Sequence, residues 1–227
     1  SRKRRFFRMI RTLLVILASG FLGSCIVPES THIEPTYHLL SEKKVDDNNS
    51  SRNDFHFIEA NESSLKNTFY LSEVGLPFYF HETKLFERQT PNEIVFRDSH
   101  RWGEEIDEGV GRVLSSVLAL HMNSPFYSAF PHRKKMGSYF DIAVTLDRFE
   151  RNSKDTVLLK GSWEVFTTDF EYGKVPVLNG HDEIEVPVNY SSLTTRMIKN
   201  EVHSLSQSLH IFAEKVAQSI LLFLQNN

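Results

Sequence analysis

The sequence predicts a single α/β domain, a sandwich in which helices cover a mixed sheet, and three patterns carry that prediction. Residues 104–122 hold Ile106, Val110, Val113, Leu114, Val117 and Leu118 at helical spacing. Residues 139–150 and 156–168 alternate apolar and polar side chains on either side of a polar turn, the signature of a β-hairpin. Ile198, Val202, Leu205, Leu209, Phe212 and Val216 recur at steps of four and three, one apolar stripe on a long helix. Strand, strand, helix, hairpin, helix is the order of an α/β sandwich. A hydrophobic fraction of 40% is enough to fill one core of ordinary size.

Residues 1–24 read as an address. Arg2, Lys3, Arg4, Arg5, Arg8 and Arg11 occur without an acid and precede an apolar run over 13–22, the layout of a secretory signal. The run is about half of the roughly 20 residues that a bilayer-spanning helix needs. Leu22, Gly23 and Ser24 then lead into Cys25, the sole cysteine. This run resembles the lipobox of bacterial lipoproteins, where a cysteine is needed because its thiolate is the strongest nucleophile among the side chains that could accept lipid at neutral pH; the resemblance implies lipidation at Cys25 and a lipidated tether over 25–35. An ordinary secretory peptide with an incidental cysteine, or a buried free thiol of the kind common in cores, is the alternative. With one cysteine the domain folds without an internal disulfide. Without residues 1–24 the 26 Lys and Arg fall to 20 against 29 Asp and Glu, a net charge of about −9 with His neutral. That charge excludes nucleic acid as an expected partner, because affinity for it comes largely from neutralising phosphates.

The folded part is expected over 36–227. Residues 36–40 form a first short strand, and a polar insert follows over 41–64, too poor in apolar surface to offset its ordering entropy. A second strand spans 67–76 and stops at Pro77; a third, short one covers 93–97. The helix beginning at Glu104 gathers Glu104, Glu105, Asp107 and Glu108 near its N-terminus, where acids complement the dipole, and ends near Met122. Gly109 and Gly111 each weaken it by about 1 kcal/mol relative to Ala, so close packing against a neighbour is expected there. In the hairpin, Phe140, Ile142, Val144, Leu146 and Arg148 share one face; Tyr139, Asp141, Ala143, Thr145, Asp147 and Phe149 share the other. The C-terminal stripe also fits a coiled-coil seam, for which three heptads are the minimum.

Several local motifs together resemble one family. They are Tyr37-His38-Leu39-Leu40, Val74-Gly75-Leu76-Pro77-Phe78-Tyr79-Phe80, Ile94-Val95-Phe96-Arg97, Arg101-Trp102-Gly103-Glu104-Glu105-Ile106-Asp107-Glu108-Gly109, Val113-Leu114, Arg148-Phe149-Glu150 and Gly161-Ser162-Trp163. In order and spacing they resemble the ABC-type transport auxiliary lipoproteins, the group that contains the paraquat-inducible protein C lipoproteins. The likeness runs over roughly 37–166 and the C-terminal helix; the insert, Gly103 and residues 170–187 depart from it.

The resemblance implies a three-layer α/β/α sandwich on a mixed sheet, without cofactor, metal or enzymatic step. It also implies an acylated (palmitate-type) Cys25 and, since Ile26 and not Asp follows it, an outer-membrane anchor facing the periplasm. The implied partners are ABC transporter proteins or proteins of the mammalian-cell-entry (MCE) type that move lipids between membranes, with a homo-oligomer also in view. The implied role is lipid transport and membrane integrity. A regulator of a cell-wall synthase and an envelope hydrolase are the alternatives.

Candidate interface residues follow from residue type. Arg101 and Trp102 belong to the kinds that dominate interfaces; the alternative buries Trp102 under the helix start and pairs Arg101 with Glu104 or Glu105. Phe78, Tyr79 and Phe80, with Pro125-Phe126-Tyr127 and Phe130-Pro131, lie beside prolines in irregular segments where binding residues concentrate, or else pack inward. Trp163 reads as a core or sheet-face residue. Catalytic and metal motifs are missing: no Gly-x-Ser-x-Gly, no phosphate loop and no HExxH occur, and His203 with His210 is a lone i, i+7 pair.

Overall fold

The structure, a computed structural model, describes residues 34–42, 65–152, 155–169 and 173–226. Cys25, the signal segment and most of the polar insert lie outside the described residues. Within Pro35–Asn227, a compact unit, the chain forms β1 (Thr36–His38), β2 (Phe69–Leu71), a 3-10 turn (Phe78–His81), β3 (Lys84–Thr90), β4 (Glu93–Trp102), α1 (Ile106–Met122), β5 (Tyr127–Ala129), β6 (Phe140–Asn152), β7 (Thr156–Asp169), β8 (Gly173–Pro187) and α2 (Thr194–Asn226).

β6 organises the sheet because both of its edges are used along their length. On one edge β7 runs antiparallel from Phe140↔Thr167 to Arg151↔Val157, and β8 continues the meander. The other edge is shared: β2 lies parallel to Phe140–Ile142, Gly75 bridges Thr145, and β3 lies parallel to Arg151 and Asn152. β3 pairs antiparallel with β4, β4 carries the short parallel β1 at His100–Trp102, and β5 adds to β2. The result is the predicted mixed sheet, with eight strands. The second predicted strand is shorter than expected. After Leu71 the chain leaves the ladder and touches β6 again through Ser72 N–H to Ile142 O and Gly75 N–H to Val144 O.

A β-bulge changes the predicted faces of β6. The register steps from Leu146↔Gly161 to Arg148↔Lys160, so Asp147 is the extra residue and parity reverses after it. Phe149 therefore joins Phe140, Ile142, Val144 and Leu146 in the core, while Arg148 turns away from it. The expectation that Arg148 shares the face of Phe140, Ile142, Val144 and Leu146, and Phe149 the other, fails for this reason.

α2 lies along this core face. Its Phe223 meets Phe140 near the start of β6, and its Glu201 meets Arg151 near the end. Every residue of the predicted stripe, Ile198, Val202, Leu205, Leu209, Phe212 and Val216, is buried. α1 packs against α2, so the two helices form one layer. Its acids Asp107 and Glu108 sit in the first turn, and its C-cap Asn123 takes the left-handed conformation (φ 49°) and donates to Ala119 O and Leu120 O.

Phe86 and Phe96 pair across β3 and β4 on the face opposite α2, and there the 3-10 turn places Phe80 and Tyr79 over Phe86. Among the described residues the second helical layer implied by the resemblance is reduced to this turn. Elsewhere the outer face is polar, with Thr145, Lys160, Ser162 and Glu164 exposed.

Trp163 on β7 stands directly opposite Gly180 on β8. A Cβ at Gly180 would meet the indole Cζ2 at 2.5 Å, and the indole N–H donates to Asp182 at 3.2 Å. The ring occupies the space that a side chain at Gly180 would need. Gly180→Ala is therefore expected to destabilise the domain by about 1–3 kcal/mol through overpacking, read as a lower urea midpoint at unchanged slope. An unchanged midpoint would show that the indole swings away freely.

Candidate ligand and partner surface

The sequence candidates separate into exposed and buried groups. Phe78 is 87% exposed, with its ring edge on His81, whereas Phe80 is buried. Tyr79 is held between them: its hydroxyl accepts from Arg88 Nη2 at 3.2 Å, and the same guanidinium gives its Nε to Glu150 at 2.8 Å. Burial, with the Glu150 carboxylate nearby, pushes the Tyr79 phenol above its ordinary pKa. Trp102 is buried at the end of β4, donating its backbone N–H to Thr83 O. Arg101 does not pair with Glu104, which belongs to Arg112, and its Nε is buried without a hydrogen-bond partner among the described residues.

The structure brings together a second set that no local pattern linked. α1 packs on β5, and between them lies a groove of about 730 Å3. One wall is the stripe Glu104, Glu108, Arg112 and Ser115; the other is the segment 124–135, with Phe126, Tyr127, Phe130, Arg133 and Lys135. Such a volume falls in the range of about 300–1,000 Å3 usual for small-molecule sites.

Ion pairs fix both walls. Arg112 donates to Glu104 (2.6 Å), Glu42 (2.5 Å) and Leu40 O (3.0 Å). The bond to Glu104, outweighing burial, holds the guanidinium above its usual pKa. Gly109 makes this reach feasible, because a Cβ there would lie 2.8 Å from Glu104 Oε1; the contact is to the helix's own start and not to the neighbouring element expected, and a Cβ at Gly111 would meet Val74 only at 3.8 Å. On the other wall Asp141, itself buried, pairs with Lys134 at 2.5 Å and with Lys174 at 2.7 Å, at angles outside hydrogen-bond geometry. Burial raises the Asp141 pKa, but the two ammonium groups outweigh it and leave the carboxyl below its ordinary value. The Ser128 hydroxyl also accepts from the Lys135 N–H.

Beneath β1, His38 Nε2 and His100 Nδ1 are 3.0 Å apart, and burial lowers both pKa values. Among the described residues no group of three metal-ligating side chains occurs and no helix is long and apolar enough to cross a membrane.

These features define a class, an α/β sandwich on one mixed sheet with a ligand-sized groove at its helix layer. The chain belongs to the family of ABC-type transport auxiliary lipoprotein components, whose profile matches residues 59–217. Protein XCC0632 from Xanthomonas campestris, a member of DUF330, has a similar fold: TM-score 0.55 at 9% identity, covering 86% of this chain and 97% of that one. An uncharacterised protein of known crystal structure is similar at the same TM-score with 14% identity, covering 68% of this chain and 92% of its own. No curated protein sequence matches.

Proposed function

We propose that this protein is a lipid-anchored periplasmic accessory component of an ABC/MCE-type lipid-transport system, held at the outer membrane through Cys25. It contributes to membrane integrity by binding or scaffolding, with no catalytic step and no cofactor. The observation that carries the reading is membership of a transport-auxiliary lipoprotein family in a chain whose sole cysteine closes a signal-like segment. Phe78, with Tyr79 fixed beside it by Arg88 and Phe80 packed inward on Phe86, is the part of the aromatic segment that a transporter protein can reach. Half-buried Arg101 marks a second candidate contact beside β1, with Trp102 buried next to it as support and not as contact surface. A homo-oligomer belongs to the same proposal.

The test is affinity capture of the tagged full chain from detergent-solubilised envelopes, followed by mass spectrometry. Co-purification of an ABC permease or MCE-type protein is expected, with capture reduced by Phe78→Ser. Recovery of peptidoglycan synthases instead would replace this proposal with the cell-wall regulator. Substrate turnover abolished by one Ser or His change would replace it with a hydrolase.

A further inference from the structure

The groove between α1 and segment 124–135 carries charges that the fold leaves unused. Glu104 and Glu42 share the one guanidinium of Arg112, so their cluster keeps one negative charge, and Lys134 is turned to Asp141. That leaves Glu108 on the α1 wall and Arg133 and Lys135 on the facing wall, all three exposed and without an ion pair among the described residues. On the same wall as the two cations stand Phe126, Tyr127 and Phe130, the last two with more than a third of their surface exposed. Two free cations beside exposed rings run against the acidic balance of the rest of the domain.

A ligand that satisfies this arrangement carries a phosphate, a separate cation and an apolar portion. A purely anionic headgroup would answer Arg133 and Lys135 but bring its charge near Glu108. A purely cationic one would leave both basic residues unanswered. We propose that the groove binds a phospholipid of the phosphoethanolamine class. Arg133 and Lys135 take the phosphate and Glu108 takes the primary ammonium. Phe126, Tyr127 and Phe130 cover the glycerol and the first acyl methylenes. Charge-assisted hydrogen bonds of this kind are about twice as strong as neutral ones, and the rings add apolar contact at low entropic cost. The proposal rests on the envelope lipid-transport reading for the presence of lipid, but not for its binding chemistry.

The experiment titrates the full chain, purified in detergent, with lysophosphatidylethanolamine, lysophosphatidylglycerol and free phosphoethanolamine. Saturable binding of the ethanolamine lysolipid is expected, displaced by free phosphoethanolamine in excess. Arg133→Ala combined with Lys135→Ala should weaken it roughly tenfold or more. Glu108→Gln should weaken the ethanolamine lipid several-fold, roughly, while strengthening the glycerol lipid. That crossing is something a merely structural role would not produce, and unchanged thermal midpoints would show the variants folded. Equal affinity for both lysolipids, no displacement by the free headgroup, or indifference to all three substitutions overturns the proposal. Binding with these preferences but no transporter in the capture experiment would refute the envelope role and leave the groove; the reverse result would refute the groove alone.

Discussion

Glu201→Ala is expected to lower the stability of the domain by about 3–5 kcal/mol, the range for removing one partner of a buried ion pair. Glu201 projects from α2 onto the sheet and is almost fully buried. It accepts from Arg97 at 2.7 Å and from Arg151 at 3.5 Å, and Arg97 also donates to Glu87 at 2.5 Å. The alanine variant leaves two mostly buried guanidinium groups facing a cavity, with Glu87 as their remaining inner counter-charge.

Glu201→Gln should cost much less than Glu201→Ala, for an electrostatic reason. Burial raises the Glu201 pKa more than the two arginines lower it, so a neutral acceptor already suits the site. The sign follows by linkage. An acid whose folded pKa is raised binds more protons in the folded state, so stability grows as pH falls from that raised value toward the ordinary 4.5 and levels off below it. The wild-type advantage over Glu201→Gln should therefore widen on acidification. Asp141 and Glu87, whose pKa values are lowered, act oppositely: their stabilisation is complete above their ordinary values and lost as pH falls through the lowered ones. The Asp141 loss is common to the wild type and Glu201→Gln and cancels in the difference, whereas Glu87 shares Arg97 with Glu201 and is coupled to the substitution. Urea unfolding of the wild type and both variants between pH 7 and roughly 4 reads all of this. An advantage that narrows with acid would mean that the arginines hold Glu201 as a carboxylate more firmly than burial opposes it.

The same cluster explains why part of the fold was hidden in the sequence. α1, α2 and the β6–β7 hairpin were legible because apolar residues repeat there at the element's own period. β3 was not, since Glu87 and Arg88 occupy half-buried positions that a hydrophobicity pattern reads as solvent-facing. β8 was missed because Pro176, Asn179, Gly180, His181 and Asp182 interrupt its alternation, which is regular only from Ile184 to Val188. A strand that has an exposed face and pairs only with β7 tolerates such residues. The Asp147 bulge leaves no local trace either, because one extra residue merely shifts the parity of a pattern that still alternates.

The groove was illegible for a different reason. Glu104 and Glu108 were explained by the helix dipole and Phe126 to Phe130 by their prolines, while Arg133 and Lys135 carried no motif. Each local account was sufficient by itself. Only the β2–β5 pairing and the packing of α1 on β5 set the three segments around one cavity. The pair Glu108 and Arg112, four apart within α1, was the one signal available, since those side chains share a helix face whatever the tertiary fold, whereas Glu104 precedes the helix.

The largest functional effect is expected at Cys25, whose lipidation remains a proposal. Cys25→Ser should remove the protein from the outer-membrane fraction almost completely. Each buried methylene contributes about 0.8 kcal/mol, and one acyl chain gives only marginal, reversible binding, so stable anchoring needs two or more chains. Diacylglycerol on the thiol and an acyl group on the new amino terminus would supply them together, and serine forfeits both because its hydroxyl is a poor nucleophile at neutral pH. The apolar run over 13–22 cannot compensate by spanning a bilayer, being half the needed length. Carbonate-washed membrane fractions and the intact mass of the wild type and the variant decide the matter. The wild type should carry the mass of its acyl chains on a chain beginning at Cys25. A Cys25→Ser protein still retained in washed outer membranes would mean that the groove, the exposed Phe78 surface or a partner holds the domain there, and the thiol would lose its role as anchor.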